Sequence, residues 1–409
     1  MGRTPLSNVS APEQSAAGDK GVRPIYLTGR PAPGEGPVNL FGLDRTALRA
    51  RFAEMGEAPY RADQVMNWIY RRGAGNFELM TNLGKELRAR LASHFVIQPP
   101  ELITEQVSTD GTRKWVLKAG EGQAIETVFI PEDDRGTLCI SSQVGCAMDC
   151  SFCATGAQGF SRNLSTAEIV AQVWFASKTL GGASGGLPPG QNFSQNERVI
   201  SNVVFMGMGE PLANYNEVLP ALRILLDDNG FGLSKRRVTV STSGLVPFME
   251  RLRVDVDTAL AVSLHAPNDE LRNVLVPINK KYPLEELMES CKRFTEGKDR
   301  KSHIVYEYVM LDGVNDKPEH ARQLARLLAG LPAKVNLIPF NPFPKSQYTR
   351  SPAERIRAFA DILRAKDIIT TTRKTRGDDI DAACGQLAGK VQNRQKQRLR
   401  DIPVKSVRA

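Results

Sequence analysis

The sequence predicts an α/β protein in which a parallel, barrel-like sheet of six strands follows a small helical domain. From residue 132 onward, short apolar runs alternate with helical patterns, which is typical of strand–helix units around a parallel sheet. Cysteines and polar residues fall just after these runs, and parallel barrels carry their chemistry at that edge of the sheet. Residues 38–98 differ in showing mainly helical periodicity.

Composition narrows the class of protein. The chain has 409 residues, is 41% hydrophobic, and has no apolar run near the roughly 20 residues that a membrane-spanning helix needs. It carries 54 Lys and Arg against 45 Asp and Glu, and the resulting formal charge of +9 favours a polyanionic partner. No secretory leader is recognisable, so we expect a cytoplasmic protein whose six cysteines serve metal or redox chemistry rather than a disulfide framework.

The N-terminal part of the chain has two predicted sections. Residues 1–37 are rich in Gly, Pro, Ser and Ala without apolar periodicity, which predicts a disordered extension. Residues 38–98 predict three short amphipathic helices, the first capped by Asp44. Their apolar positions are Leu48, Phe52, Met55, Val65, Trp68, Ile69, Leu83, Leu87 and Leu91. Five arginines suit phosphate contact, although such arginines are more often merely solvated: Arg61, Arg71, Arg72, Arg88 and Arg90.

Residues 99–131 are predicted to link the helical domain to the barrel through a hairpin and one strand. The pair Asp110 and Gly111, between two strand-like runs, is a strong hairpin signal. A further strand, residues 124–130, carries Glu126 and ends at Pro131. A glutamate on an alternating strand usually faces solvent.

The barrel domain is predicted to span residues 132–372, followed by a C-terminal segment of residues 373–409. Its predicted strands are residues 137–143, 199–206, 238–242, 258–264, 304–311 and 334–339. Predicted helices between them include residues 166–180, 216–226, 284–294 and 352–365. The Gly-, Pro- and Asn-rich stretch 181–196 predicts a flexible surface loop, and the basic stretch 390–408 predicts either a solvated tail or a phosphate-binding one.

Four of the six cysteines lie between positions 139 and 153. Cys146, Cys150 and Cys153 stand four and then three positions apart on a loop after the first barrel strand, so three thiolates can converge on one group. Thiolate sets favour zinc or iron–sulfur centres, and structural zinc usually takes four ligands in two short-spaced pairs. Three ligands on one loop favour a four-iron cluster with one iron open to another ligand. A zinc site completed by Cys139, Cys384 or a distant His is the alternative.

The Cys-x3-Cys-x2-Cys loop, with Phe152 before its last cysteine, resembles the signature of radical S-adenosylmethionine enzymes. Further segments make the likeness specific: ETVFIPE at 126–132, Cys139, GMGEP at 207–211, SLHAPN at 263–268 and RKTRGDDIDAACG at 373–385. Together they resemble the bacterial dual-specificity RNA methyltransferases of the RlmN type, which modify C2 of adenine in 23S ribosomal RNA and in transfer RNA. The resemblance covers the chain from about Asn39 onward.

The resemblance implies a fold, two cofactors and a set of binding residues. The fold is the partial (βα)6 TIM-like barrel of radical S-adenosylmethionine enzymes, and residues 38–98 are an accessory RNA-binding domain. One 4Fe-4S cluster per chain is held by Cys146, Cys150 and Cys153. S-adenosylmethionine is bound by Gly209, Glu210, Ser241, Ser263, Leu264, His265 and Asn341.

The resemblance also implies the reaction. One S-adenosylmethionine methylates Cys384, and a second is reductively cleaved to a radical that takes a hydrogen atom from the S-methyl group. The resulting methylene radical adds to C2 of adenine, and Glu126 accepts the C2 proton. Cys139 then attacks the Cys384 sulfur, which frees the base and leaves a transient disulfide. We expect 23S rRNA and tRNA as partners, an external reductant such as flavodoxin, and a monomeric cytoplasmic enzyme without membrane attachment.

A base that reacts inside a barrel must leave its stack, so we expect single-stranded or loop RNA with an extruded adenine. Candidate phosphate contacts are Lys235, Arg236, Arg237, the run 373–376 and the basic tail. Two alternatives stay open. A sister family methylates C8 of the same ribosomal adenine and shares the cysteines, although the motif before Cys384 is closer to the C2 enzymes. A zinc-stabilised, noncatalytic RNA-binding protein would explain the charge and the thiols, but not the polar residues at the strand ends.

Overall fold

The computed structural model of the protein describes residues 36–120, 122–133, 135–181, 199–297, 303–344 and 346–387. Contacts divide the chain into residues 1–37 and a compact unit of residues 38–409, and the fold below is that of the second unit. The predicted extension up to residue 35, most of the predicted loop 181–196 and the basic tail 390–408 lie outside the described residues. Within the described ranges, no helix is long and apolar enough to cross a membrane.

The helical module at the start of this unit contains the three predicted helices. They are α1 (Arg45–Glu54), α2 (Pro59–Met66) and α3 (Lys85–His94). The Asp44 carboxylate accepts a hydrogen bond from the Ala47 N–H and caps α1, as predicted. A π-helical segment, Asn67–Arg71, continues α2. The short strands β1 (Val38–Asn39) and β2 (Phe95–Val96) pair in parallel and join the two ends of the module.

Aromatic side chains fix this module against the barrel. The Tyr70 ring lies 5.0 Å from the ring of Phe231, centroid to centroid. The Trp174 indole donates a hydrogen bond to the Ile69 carbonyl at 3.0 Å. Since these contacts are buried, the module is packed onto the barrel rather than tethered to it. All five of the predicted phosphate-binding arginines contact the protein itself: Arg61 the side-chain oxygen of Gln64, Arg71 the carbonyl of Asp228, Arg72 the ring of Trp68, Arg88 the carboxylate of Glu78, and Arg90 that of Glu57.

Ten of the remaining strands form one sheet. The strands after β2 are β3 (Leu102–Val107), β4 (Arg113–Lys118), β5 (Ala124–Glu132), β6 (Arg135–Cys139), β7 (Gln143–Gly145), β8 (Phe160–Asn163), β9 (Asn202–Phe205), β10 (Val238–Thr242), β11 (Ala259–Ser263), β12 (Ile304–Met310), β13 (Ala333–Pro339) and β14 (Ile369–Thr372). The strand order is β14-β13-β12-β11-β10-β9-β6-β5-β4-β3. From β6 through β9 to β14 the pairing is parallel, whereas β5, β4 and β3 extend the β6 edge as an antiparallel meander.

Helices connect the parallel strands. They are α4 (Ala154–Gln158), α5 (Thr166–Thr179), α6 (Tyr215–Leu226), α7 (Val246–Asp255), α8 (Asp269–Leu275), α9 (Leu284–Thr295), α10 (Pro318–Leu327) and α11 (Ala353–Arg364). The start of α5 has a capping box, because Ser165 and Glu168 each bind the other's backbone N–H. The apolar faces of these helices and of the sheet form one continuous core.

The predicted α/β class with a partial barrel is confirmed, and two details differ from the prediction. The predicted strand 137–143 is two strands, since β6 ends at Cys139 and β7 pairs with β8 in a separate sheet. A seventh parallel strand, β14, was not predicted. Its sequence Ile-Thr-Thr-Thr is short, and three of its four residues are exposed at the edge of the sheet, so it lacks the apolar run that marks the other strands.

Candidate active site at the carboxyl edge of the barrel

A cavity at the carboxyl edge of the parallel strands brings together most of the predicted site residues. Those that line it are Cys146, Cys150, Cys153, Gly209, Glu210, Ser241, Ser263, His265, Asn341 and Cys384. They come from loops that follow different strands and meet because parallel strands end at the same edge. Leu264 is the exception among the predicted cofactor residues. Its side chain is fully buried, and its N–H donates to the Glu307 carbonyl at 3.1 Å.

The cysteine loop begins in a tight turn that only glycine fits. Gly145 has a φ of +76°, and a Cβ there would lie 1.9 Å from the Gly159 carbonyl oxygen. That same carbonyl accepts a hydrogen bond from the Cys146 N–H at 3.0 Å. The Cys153 N–H donates to the Cys150 carbonyl at 3.1 Å, which closes the loop on itself. The three thiols are therefore held around one side of the cavity by backbone geometry.

This donor set fits an iron–sulfur cluster. Soft thiolates around a shared cavity suit a multi-iron group. Among the described residues, no group of three His, Cys, Asp or Glu side chains is placed to hold a metal ion. Burial raises the pKa of all three thiols, and the adjacent thiols add to the effect at Cys146 and Cys150. Binding as thiolates therefore needs the positive charge of a metal centre.

The turn after β9 places a carboxylate in the cavity wall. Gly209 has a φ of +100°, and a Cβ there would lie 2.5 Å from the Cβ of Gln143. Glu210 is 2% exposed and accepts hydrogen bonds from the N–H groups of Leu212 at 3.0 Å and Ser243 at 2.7 Å. Burial raises the pKa of Glu210. A buried carboxylate in the wall of a cavity suits the ammonium group of a ligand.

His265 enters the cavity as a neutral imidazole. Its φ of +60° turns the backbone sharply after β11, and its Nδ1 accepts a hydrogen bond from the Val309 N–H at 3.0 Å. Burial lowers the pKa of His265 to about 3, so at neutral pH the ring carries its single proton on Nε2. The Phe152 ring lies 4.5 Å from the imidazole, centroid to centroid, in an edge-on arrangement. This contact joins the cysteine loop to the end of β11.

A buried arginine holds the strand ends beneath His265. Arg272 is 0% exposed and donates to the carbonyls of Ser243 at 2.7 Å and Leu264 at 3.1 Å. Burial lowers its pKa to about 10, which still leaves it charged at neutral pH. Because it binds carbonyls at the ends of β10 and β11, it fixes the spacing of the loops that line the cavity.

A second and larger cavity, of about 750 Å³, adjoins the first. The residues that line both are Met206, Glu307, Ile338, Asn341, Arg373 and Cys384. The larger cavity is also lined by basic residues, namely Arg135, Lys374 and Arg376, together with the acidic residues Glu132 and Asp133. Cys384 therefore stands where a sulfur-rich cavity and a polar one meet.

Two side chains contact Cys384 at this junction. The Arg373 guanidinium donates to its Sγ at 2.9 Å, and the Asn341 amide donates to its backbone carbonyl at 3.3 Å. Arg373 in turn lies 3.7 Å from the Glu307 carboxylate, and attraction to that carboxylate and to Cys384 raises the pKa of Arg373. The sulfur of Cys384 is thus beside a permanent positive charge.

Glu126 and Cys139 are neighbours in the sheet. Cys139 on β6 lies opposite Val128 on β5, and Glu126 lies two residues before Val128 on the same face of the strand. Cys139 and Val128 line the larger cavity, and burial raises the pKa of Cys139. Glu126 is 7% exposed, so the solvent exposure usual for such a glutamate does not apply here. The Lys114 Nζ lies 4.0 Å from its Oε2.

The implied disulfide between Cys139 and Cys384 is not present in this structure. All six cysteines lie within the described residues, and all six are free thiols. The resemblance implies this bond only as a transient species, and its formation stays a prediction.

The hairpin of β3 and β4 holds the segment that precedes Cys384. The Ser108 hydroxyl donates to the Asp379 carboxylate at 2.5 Å, and the Asp110 carboxylate accepts from the Gly377 N–H at 3.1 Å. We call residues 108–112 the hairpin brace. Sequence reasoning assigned these residues only to a linker, because nothing in a turn signal reveals what the turn contacts.

Three site residues were missed by the sequence reasoning: Lys114, Arg272 and Glu307. A charged residue inside an otherwise apolar strand was the available signal for Glu307, which interrupts the run Ile304–Met310 and is 3% exposed. Lys114 beside Trp115 carries a weaker form of the same signal. Arg272 lies on a short polar helix that offers no comparable signal.

Comparison with known proteins gives two kinds of match, to family models and to solved structures. A family model described as the ribosomal RNA large subunit methyltransferase N-terminal domain (RlmN_N) matches residues 38–97. A model of the radical SAM superfamily matches residues 191–325, a range that begins after the cysteine loop. A crystal structure of a radical SAM methyltransferase from Sphaerobacter thermophilus is 45% identical, with a TM-score of 0.77, and the match covers 86% of this chain and 99% of that one.

Other solved structures resemble the chain more distantly. A domain of the pyruvate-formate lyase-activating enzyme from Bacteroides vulgatus is 17% identical with a TM-score of 0.33, over 42% of this chain and 99% of that one. SuiB from Streptococcus suis, bound to S-adenosylmethionine, is 13% identical with a TM-score of 0.41, over 58% of this chain and 50% of that one. These two likenesses are too weak to support an argument about the site.

Proposed function

The chain belongs to the RlmN family of radical S-adenosylmethionine methyltransferases, and we propose that it methylates C2 of adenine in 23S ribosomal RNA and in transfer RNA. One observation carries the proposal: Cys384 lines both the cavity that contains the cysteine triad and the larger, partly basic cavity beside it. A methyl carrier that serves a cofactor on one side and an RNA base on the other needs this position.

Cys146, Cys150 and Cys153 would hold the 4Fe-4S cluster, and Glu210 would receive the amino group of S-adenosylmethionine. Gly209, Ser241, Ser263, Leu264, His265 and Asn341 complete the proposed cofactor site, with Leu264 acting through its main chain. When bound, the cluster and S-adenosylmethionine supply a methyl group and a radical able to remove a hydrogen atom from an unactivated methyl group. The neutral imidazole of His265 fits this site, because a charged ring would repel the sulfonium.

Cys384 would accept the methyl group on its sulfur and then carry the methylene carbon to C2 of the base. The Arg373 contact orients the sulfur, and the Asn341 contact fixes its backbone. A covalent carrier of this kind explains why a nucleophilic cysteine lies outside the triad. C2 of adenine lacks the nucleophilic character that direct transfer from a sulfonium requires, so a carrier and a radical step are needed.

Glu126 would accept the proton from C2, and Cys139 would attack the Cys384 sulfur to release the methylated base. In that release the bond between the Cys384 sulfur and the methylene carbon breaks, its electron pair goes to carbon, and carbon takes a proton. The resulting disulfide is transient and must be reduced by an external dithiol before the next cycle. Cys139 lies opposite Val128, and Glu126 lies two residues before Val128 on the same face of the strand. This closeness supports giving the two residues successive roles in the same reaction.

The larger cavity would receive the extruded adenine, and Arg135, Lys374 and Arg376 would contact the flanking phosphates. Lys235 and Arg237 are weaker candidates, since they do not line this cavity and contact Asp257 and Asn202. A monomer working in the cytoplasm with a flavodoxin-like electron donor completes the proposal.

The test is nucleoside analysis after reaction. The anaerobically purified, iron-reconstituted protein is incubated with S-adenosylmethionine, a reductant and unmodified ribosomal or transfer RNA, and the digested RNA is analysed by mass spectrometry beside authentic standards. We expect 2-methyladenosine from the wild type and none from Cys384→Ala. Formation of 8-methyladenosine would assign the chain to the C8 activity, and binding of RNA with zinc but without any methylated base would support the noncatalytic alternative.

A further inference from the structure

Lys114 lies at the point where the sheet, the proposed proton acceptor and the Cys384 segment meet. Across the antiparallel strands, Lys114 on β4 is opposite Val128 on β5, which is in turn opposite Cys139 on β6. Residues that face each other in this way share one face of the sheet. The row therefore leads from Lys114 to Cys139 along the face that lines the larger cavity.

Lys114 is buried, which is unusual for a lysine. It is 6% exposed, and its Nζ makes two described contacts: one to Glu126 Oε2 at 4.0 Å and one to the Asp381 carbonyl at 3.2 Å. Burial of an ammonium group is costly unless it is paired and hydrogen-bonded, so this position has a specific role in the fold or in the reaction.

The two contacts join parts of the molecule that are distant in sequence. Glu126 belongs to the sheet, whereas Asp381 lies three residues before Cys384 on a segment outside it. A single ammonium group therefore sets the distance between the carboxylate and the segment that carries the tethered base.

We infer that Lys114 is a positioning residue for the proton-removal step, and that it holds the Glu126 carboxylate against the base tethered to Cys384. This inference rests on the proposed function. In that step the C2–H bond of the adduct breaks and its proton goes to a carboxylate oxygen of Glu126. The electron pair of the bond stays in the ring and restores its aromaticity, and the one excess electron leaves to a one-electron acceptor, the class to which an oxidised iron–sulfur cluster belongs.

Lys114 acts through Glu126 and through the Cys384 segment, not on the base itself. Its ammonium group lies 4.0 Å from the Glu126 carboxylate and attracts it. Its hydrogen bond to Asp381 keeps that carboxylate aligned with the adduct. Loss of the ammonium group therefore slows release of the base but leaves the formation of the adduct intact, because neither contact reaches the cysteine triad.

The experiment compares Lys114→Met, Lys114→Arg and the control Lys118→Met in the full-length reconstituted enzyme. Lys118 lies on the same strand, is exposed and pairs with Glu101 at the other side of the hairpin, so its replacement tests general damage to β4. The readouts are the covalent protein–RNA adduct on a denaturing gel, the deoxyadenosine formed in the first turnover, the yield of methylated adenosine, and the melting temperature.

We expect Lys114→Met to accumulate the covalent adduct, to form deoxyadenosine as the wild type does, and to yield methylated adenosine about 100-fold more slowly, the size of effect that misplacement by about 1 Å can produce. Lys114→Arg restores much of the yield because it keeps the charge, and Lys118→Met behaves as wild type. The inference is overturned if Lys114→Met releases product like Lys118→Met, or if it loses deoxyadenosine formation and melting temperature together with the yield. A wild type that methylates no RNA would instead overturn the proposed function.

Discussion

The two cavities that meet at Cys384 differ in what lines them. The first is lined by thiols, glycines and buried polar groups such as Glu210 and His265, and its residues come from the ends of the parallel strands. The second is larger, contains Arg and Lys side chains, and is lined partly by β5 and β6, where the sheet becomes antiparallel. Under the proposed function, the first cavity would bind the cofactor, and the second cavity, to which the antiparallel strand β5 adds residues, would receive the RNA base.

The largest expected effects separate the cysteines of the two cavities. Cys150→Ala and Cys384→Ala should both abolish RNA methylation, because one removes a proposed cluster ligand and the other the methyl carrier. Only Cys150→Ala should lose bound iron and the visible spectrum of the cluster. Iron and sulfide analysis after anaerobic reconstitution checks this, with Cys291→Ala as the control, since Cys291 is a buried cysteine on α9 away from both cavities. Equal iron loss in Cys150→Ala and Cys384→Ala would contradict the assignment of Cys150 as a cluster ligand and Cys384 as the methyl carrier.

The next effect tests the geometry of the first cavity. Gly209→Ala places a methyl group 2.5 Å from the Gln143 Cβ at a φ of +100°, so we expect a loss of about 2–3 kcal/mol in the free energy of unfolding and a loss of S-adenosylmethionine binding. Gly330→Ala is the matched control, because its φ is +78° but no atom lies within 4 Å of a Cβ there. It should cost only about 1–2 kcal/mol and leave binding unchanged. Denaturant unfolding measures the free energy of unfolding, and calorimetric titration measures S-adenosylmethionine binding. Equal effects of the two variants would contradict the steric argument.

The charge of the second cavity should govern RNA affinity. Replacing Lys374 and Arg376 with Gln should weaken RNA binding and reduce the slope of log K against log salt by about 0.7 for each lost phosphate contact, as for single-stranded RNA. Binding of S-adenosylmethionine should not change. Lys366→Gln, which removes a cation before the start of β14 rather than after its end, is the control. A salt slope that is the same in the double variant and the wild type would remove these cations from the interface.

The smallest effect concerns the hairpin brace and has a defined pH dependence. Burial alone would raise the pKa of Asp110, but hydrogen bonds from Thr112 and Gly377 lower it to about 2. A lowered folded-state pKa stabilises the protein above the ordinary value near 4, and this contribution is lost as the pH falls towards 2. We expect this contribution to the free energy of unfolding to be about 1–2 kcal/mol. Asp110→Asn should abolish this part of the pH dependence between pH 4 and 2. Urea unfolding across this pH range measures the effect. The same change in unfolding free energy with pH in Asp110→Asn and in the wild type would refute this role of Asp110.

The sequence predicted the first cavity much better than the second. Short motifs at strand ends, such as the cysteine loop and residues 207–211, contain their chemistry within a few neighbouring positions. The second cavity depends on pairings between strands and on a segment that returns from far along the chain, as with Asp381 and Lys114. Such contacts leave no local pattern, which is why β14, the hairpin brace and the buried state of Glu126 could not be predicted.

In the proposed function, the methyl carbon passes through Cys384 between the two cavities. This can be tested by the isotopic composition of the methyl group in the product RNA. The reaction uses S-adenosylmethionine with a fully deuterated methyl group and reduced enzyme whose Cys384 carries no methyl group at the start. Because one deuterium would be removed from the S-methyl group before the carbon joins adenine, we expect a methyl group with two deuterium atoms and one hydrogen. A methyl group that keeps all three deuterium atoms would mean direct transfer and would contradict the role of Cys384.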